Sequence, residues 1–226
     1  MSPPKLPSLV VFDLAGTTVR DDGQVPAAFA AALLEHGIQV TPGQIAGVRG
    51  ASKKEAIRHF VPEGPEHSRR VEQAYASFQA ELRARYETGG VSAIDGAEAV
   101  FAWLRTRRVR IAFNTGFDRA ITTLLLQGLG WPSGVADAVV CGDDVARGRP
   151  APDLILRTMD LCGVSDAGRV ANVGDTVLDL QAGDRAGVRF NIGVLSGAHA
   201  RELMETAPHT HLLGDVRELP ALFEFR

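Results

Sequence analysis

The chain of 226 residues is 45% hydrophobic and 23% charged with a formal net charge of −3, a balance that excludes a disordered or collagen-like polymer. The mildly acidic total argues against a general nucleic-acid binder, and no run approaches the ~18 apolar residues of a membrane span. Two cysteines, Cys141 and Cys162, are too few for a disulfide framework and lack metal-ligand spacing, so reduced thiols in or near a core are expected. With no basic-then-apolar leader in Met1–Ser8, so is a cytoplasmic protein.

In chain order, Leu9–Phe12 is a short apolar run that stops at Asp13 and is followed by Ala15-Gly16-Thr17-Thr18. This reads as a buried strand carrying a carboxylate at its C-terminal end, then a turn. Pro26 to about Gly37 is Ala/Leu-rich at helical spacing and ends on glycine. A second helix is expected from Ser52, a candidate cap, to Phe60, and a third from about Glu66 to Tyr86. No strand-like run interrupts Val25–Glu87, which therefore reads as a small all-helical insert.

Beyond Gly89-Gly90 helices and short apolar strands alternate. Helix Gly96–Arg107 leads to strand Arg110–Asn114, helix Asp118–Leu129 to strand Ala138–Cys141, and helix Pro152–Cys162 to strand Arg169–Val173. Helix Val177–Gly187 then leads to strand Arg189–Ile192, and a last strand covers His211–Leu213. The alternation predicts an α/β fold with a doubly wound parallel sheet covered on both faces, to which the first strand also belongs. The expected core is residues 1–20 and 89–226, with the helical insert over 21–88.

Ligands of such sheets bind at the C-terminal ends of the strands. Those ends offer Asp13, then Thr115-Gly116, then Gly142-Asp143-Asp144 and Arg149, then Gly174-Asp175 with Asp179. Carboxylates, a hydroxyl and a cation in this order suit phosphoryl chemistry, in which carboxylates hold a hard cation such as Mg²⁺ and the cation and hydroxyl bind phosphoryl oxygens. Taken singly each group also has a plain structural use: Asp13 as a turn cap, Thr115 as partner of a loop amide, Arg149 in a surface ion pair. Of 24 basic residues only Lys5, Lys53 and Lys54 are lysines, against 21 arginines, so any amine chemistry has three candidates.

Phe12-Asp13-Leu14-Ala15-Gly16-Thr17-Thr18, Phe113-Asn114-Thr115-Gly116, Gly148-Arg149-Pro150-Ala151-Pro152 and Val173-Gly174-Asp175-Thr176-Val177-Leu178-Asp179 together resemble the four successive motifs of the haloacid dehalogenase (HAD) superfamily. The resemblance spans roughly residues 9–193 and implies that the helical insert is a cap. Most phosphatases and mutases of that superfamily carry an acid two residues after the nucleophile, where this chain has Ala15, and a methyl group cannot protonate a leaving oxygen. Asp-x-Ala-Gly-Thr-Thr is similar to the phosphonoacetaldehyde hydrolase (phosphonatase) group, in which a cap lysine follows a glycine by three residues, as in Gly50-Ala51-Ser52-Lys53.

The resemblance implies Asp13 as nucleophile, Lys53 as an imine-forming amine, and Thr115 and Arg149 as the phosphonate grip. It implies a Mg²⁺ site of Asp13, the Ala15 carbonyl and Asp175, with Asp179 a water-mediated contributor, and a substrate wall of Ala15, Arg49, Gly50, Gly116 and Phe117. The cap departs from the group: Arg49 replaces its usual methionine, Ala56 its histidine and Phe117 its hydroxylated aromatic, with His59 a candidate substitute for the histidine. A β-phosphoglucomutase-like alternative follows, in which Arg49 and Lys53 grip the phosphate of a small ester, and a catalytically silent binding module is the third reading. The expected partner is a small phosphonate or phosphate ester and neither nucleic acid nor membrane, while the cap's apolar face is a candidate homodimer surface.

Overall fold

The computed structural model describes residues 6–131 and 134–224. Lys5, one of the three lysines, lies outside them. Six strands, β1 (Leu9–Phe12), β2 (Arg110–Asn114), β3 (Ala138–Val140), β4 (Val170–Gly174), β5 (Phe190–Val194) and β6 (His211–Leu213), form one sheet in the order β3-β2-β1-β4-β5-β6. Every adjacent pair is parallel. β1 lies between β2 and β4, where the chain reverses its direction of winding.

Side-chain alternation along β1 explains why it is apolar throughout. Val10 and Phe12 enter the larger core with Phe101, Phe113 and Trp131, while Leu9 and Val11 enter a second core with Ile155, Met159 and Ala182 on the other face. A central parallel strand buries both faces, so period-2 polarity is lost. The Phe12 and Phe113 rings both meet Phe101 edge to face, at 5.4 and 5.6 Å between centroids.

Between β1 and β2 run α1 (Gln24–Glu35), α2 (Pro42–Gly47), α3 (Lys53–Phe60), α4 (His67–Gly89) and α5 (Ala97–Thr106). Helices α1 to α4 make a helical block in which Ala28, Phe29, Ala32 and Leu33 pack toward Val71, Ala74, Phe78 and Leu82. On α4 those four residues recur at steps of three and four, the apolar stripe of a helix that buries one face. Phe29 anchors the block through edge-to-face contacts with Phe60 and Phe78. Helices α6 (Arg119–Gly128), α7 (Asp153–Leu161), α8 (Val177–Ala186), α9 (Arg201–Met204) and α10 (Leu219–Glu224) complete the fold.

The predicted elements differ from these at their ends and omit α9 and α10. Helix α2 was not expected, although Thr41 and Gln44 form a capping box around Pro42, a start signal visible in Thr-Pro-Gly-Gln. Ser52 precedes α3 but its side chain caps nothing; it lies against Gly148 of the facing loop instead. Cys141 falls just after β3, and both cysteines are free and buried. No helix among the described residues is long and apolar enough to cross a membrane.

Candidate active site

The C-terminal ends of β1, β2 and β4 bring Asp13, Thr115 and Asp175 into one pocket, because β1 sits between the other two strands in the sheet. The pocket floor adds Arg149 and Thr176. The helical block supplies the opposite wall, with Val25, Phe29, Ile45, Val48, Arg49, Gly50 and Lys53, and Ala15, Gly116 and Phe117 complete the lining. Most sequence-predicted site residues thus meet; Asp179 stands just behind the wall.

Asp13, Asp175 and Asp179 are all buried, with carboxylate oxygens within 4.8 Å of one another. Arg149 is the buried cation set against them: Nη2 is 2.8 Å from Asp13 Oδ1 and Nε is 2.9 Å from Asp179 Oδ1. Nη2 also donates to the Asn114 carbonyl at 3.1 Å and to its side-chain oxygen. Burial opposes the charge of Arg149, yet Asp13 and Asp179 outweigh it and hold the guanidinium firmly protonated. One cation therefore orients the nucleophile candidate on β1 and is itself oriented from β2 and α8.

Asp179 is spent on the protein. Besides Arg149 it bonds the backbone and hydroxyl of Thr176, closing a capping box at the start of α8. Asp175 receives Thr17 Oγ1 at 3.3 Å and Ala198 N at 2.6 Å. Burial raises both carboxyls above the ordinary range and Asp13 raises them further, while at Asp179 the Arg149 guanidinium pulls partly the other way. Three buried carboxylates with one cation among them leave an excess of negative charge on hard oxygen donors, which fits a small divalent ion.

Thr115 is buried; its Oγ1 accepts Phe117 N–H at 3.1 Å, which leaves the hydroxyl proton to donate elsewhere. Lys53 opens α3 directly above. Its backbone N–H donates to the Gly116 carbonyl at 3.2 Å, and its Nζ donates to the Ala51 carbonyl at 3.2 Å and stands 5.2 Å from the centre of the Phe117 ring. Although the residue as a whole keeps intermediate exposure, its amine is lowered from 10.5 to about 8. Burial is the main cause; Arg49 and Arg149 lower it further, against Asp13 and Asp21. Two glycines permit this approach: a Cβ on Gly116 would lie 2.6 Å from the Ala51 carbonyl oxygen, and one on Gly50, at φ +87°, would lie 2.3 Å from Thr176 Oγ1.

The surroundings of three sequence candidates bear on their roles. Arg49 is not a free cation: it pairs with Asp21, whose side chain is 3% exposed and which also accepts Val25 N–H. Lys54 turns away from the pocket to pair with Glu72 at 2.7 Å. His59 is exposed, stacks edge to face on Phe60 and lines a separate surface depression, so it does not replace the histidine missing at Ala56. Asp21, Asn114 and Thr176 escaped notice because their roles depend on partners remote in sequence. The only local signal was Thr176 three residues before Asp179.

A family model described as haloacid dehalogenase-like hydrolase matches residues 7–187. The chain is 30% identical over 202 residues to phosphonoacetaldehyde hydrolase of Latilactobacillus sakei, covering 84% of this chain and 76% of that protein. Among solved structures, a phosphonoacetaldehyde hydrolase-like protein from Oleispira antarctica aligns with TM-score 0.84 at 21% identity, over 96% of this chain and 91% of the other. CbbY from Rhodobacter sphaeroides, in complex with phosphate, aligns with TM-score 0.81 at 18% identity, over 97% and 100%.

Proposed function

The chain belongs to the haloacid dehalogenase-like hydrolase family, and on that footing we propose that it is a phosphonatase-like enzyme that cleaves the carbon–phosphorus bond of phosphonoacetaldehyde or a related carbonyl phosphonate. One observation carries the reading: a lysine amine lowered to about 8 faces the same pocket as Asp13, in a chain whose position for a leaving-group acid is Ala15. A carbon leaving group needs an electron sink and not a proton donor, and an imine on Lys53 is such a sink. The name of the Latilactobacillus sakei relative supports it.

In this reading the helical block is the cap. Lys53 Nζ adds to the substrate carbonyl and water departs, giving a protonated imine. Thr115 and Arg149 hold phosphonate oxygens, and Arg149 keeps Asp13 Oδ1 in place while the other carboxylate oxygen attacks phosphorus. As the Asp13–phosphorus bond forms, the carbon–phosphorus pair moves into the imine and leaves an enamine on Lys53. The enamine takes a proton on carbon and the resulting imine is hydrolysed to release the aldehyde, while water hydrolyses the aspartyl phosphate. Asp13 and Asp175, with the Ala15 carbonyl, would hold Mg²⁺, which when bound neutralises charge between the two anions that must meet. Asp179, already committed to Arg149 and Thr176, acts through them.

The second reading, a phosphatase or phosphoglucomutase-like enzyme in which Lys53 binds phosphate, draws on Arg49 and Lys53 sharing the pocket wall and on the likeness to CbbY. The pairing of Arg49 with Asp21 counts against it. Phosphate release from phosphonoacetaldehyde separates the two. Wild type should turn over and be inactivated by borohydride added with substrate, leaving an adduct on Lys53. Lys53→Arg, which keeps the charge and loses the amine, should fall by at least about a thousandfold. Full activity in Lys53→Arg would select the phosphate-binding reading.

A further inference from the structure

The loop that follows β2 carries a second connection to the helical block, on the far side of Phe117 from the pocket. Asp118 is 8% exposed, and the three groups that donate to its carboxylate are neutral. Oδ1 accepts Ile121 N–H at 2.9 Å and so caps α6. Oδ2 accepts two donors from α4, Gln79 Nε2 at 2.6 Å and the phenol of Tyr75. Tyr75 and Gln79 are one helical turn apart and so present both donors on one face. Burial and the neighbouring Asp118 raise the Tyr75 phenol, which therefore stays protonated and donates.

The same short loop bears the catalytic wall. Gly116 receives the Lys53 backbone N–H, and the Phe117 ring lies beneath the Lys53 amine. Residues 115–118 are thus held at one end by the first turn of α3 and at the other by the middle of α4. Behind them runs a wide cleft lined by Ser52, Lys54, Tyr75, Gln79, Asp118 and Gly148, from which water can reach the carboxylate once the two donors leave. A carboxylate that exchanges two protein donors for water can release the helical block without being stranded in an apolar medium. Closure is then favoured, not locked.

We propose that Tyr75, Gln79 and Asp118 form a latch that sets the closed position of the helical block over the pocket, and that they are positioning residues for Lys53. The proposal rests on the cap reading but not on the choice of substrate. Each hydrogen bond to the carboxylate shifts the closed-to-open ratio by about tenfold or more. Tyr75 donates through a single oxygen, so Tyr75→Phe removes the bond and leaves the ring that stacks on Phe78.

The test is amide hydrogen exchange of the full chain in wild type, Tyr75→Phe, Gln79→Leu and Asp118→Asn, read over residues 49–53 and over β1 and β4, with kcat and KM measured beside it. Asparagine keeps a cap on α6, so Asp118→Asn probes the latch without unseating that helix. The expected result is about tenfold faster exchange in 49–53 for Tyr75→Phe with β1 and β4 unchanged, and kcat/KM falling in step. Tyr75→Phe combined with Asp118→Asn should exceed the single variants by less than the product of their effects. Exchange in 49–53 at the wild-type rate in all three variants, or a uniform rise across β1 and β4, overturns the latch. A wild-type protein inert toward phosphonates would sink the substrate reading alone, because loop exchange still decides the latch.

Discussion

Replacing Arg49 by methionine probes how the pocket prepares Lys53. The amine titrates near 8 where an ordinary lysine titrates at 10.5; burial does most of this, Arg49 and Arg149 add to it, and Asp13 and Asp21 oppose it. At pH 7.5 a group with a value of 8 is about one-quarter neutral, whereas one at 10.5 is neutral about one time in a thousand, so the pocket multiplies free amine roughly 240-fold. Arg49→Met removes a neighbouring cation and leaves Asp21 unpaired in the same wall. Both changes favour the ammonium form, so the value should rise above about 8 and free amine at pH 7.5 should drop several-fold. Competitive acetylation across a pH series, read by mass spectrometry at Lys53 with Lys54 as internal standard, measures this without any substrate. Adding Asp21→Asn to Arg49→Met should recover part of the loss, since the stranded anion is gone. A wild-type half-point near 10.5, or a fall on replacing Arg49, would refute the electrostatic reasoning.

Two further outcomes follow from the same geometry. Gly116→Ala places a methyl group 2.6 Å from the Ala51 carbonyl oxygen and must push the Lys53 loop outward, so kcat/KM should fall by about a hundredfold while calorimetric melting shifts by only a few degrees. Retained activity would show that the loop can give way without consequence. In EDTA, Asp175 and Asp179 keep their protons in the folded state at pH values where the unfolded chain has released them. Stability held at low pH should therefore be lost as pH climbs from about 4 through the raised values, and Mg²⁺, which favours the ionised carboxylates, should flatten that slope. A metal-free melting temperature constant between pH 5 and 8 would contradict it.

The strand-end rule made most of the site legible: Asp13, Thr115 and Asp175 each follow a short apolar run, and parallel strands place such positions on one edge. Lys53 was legible only through its spacing from Gly50, and the structure gives that spacing a physical reason. Gly50 touches Thr176, and the chain then needs three residues to reach the start of α3 over Gly116. What stayed hidden was pairing at long range. Nothing local to Arg49 announces Asp21, nothing local to Asp118 announces Tyr75, and an exposed His59 looks the same in sequence as one that points inward. Element ends shifted by a residue or two where backbone caps, and not side-chain type, terminate the helix, as at His36 and Leu129.

The position of β1 between β2 and β4 also orders events during synthesis. Asp13, Thr115 and Lys53 have all left the ribosome before β4 exists, yet Asp175 enters the pocket only when β4 docks against β1 across the whole intervening chain. That pairing closes the longest loop in the sheet's centre and is entropically the most expensive contact around the site. A nascent or truncated chain ending before residue 170 would carry Asp13 and Lys53 without Asp175. The cluster of buried carboxylates is thereby incomplete until the sheet is whole.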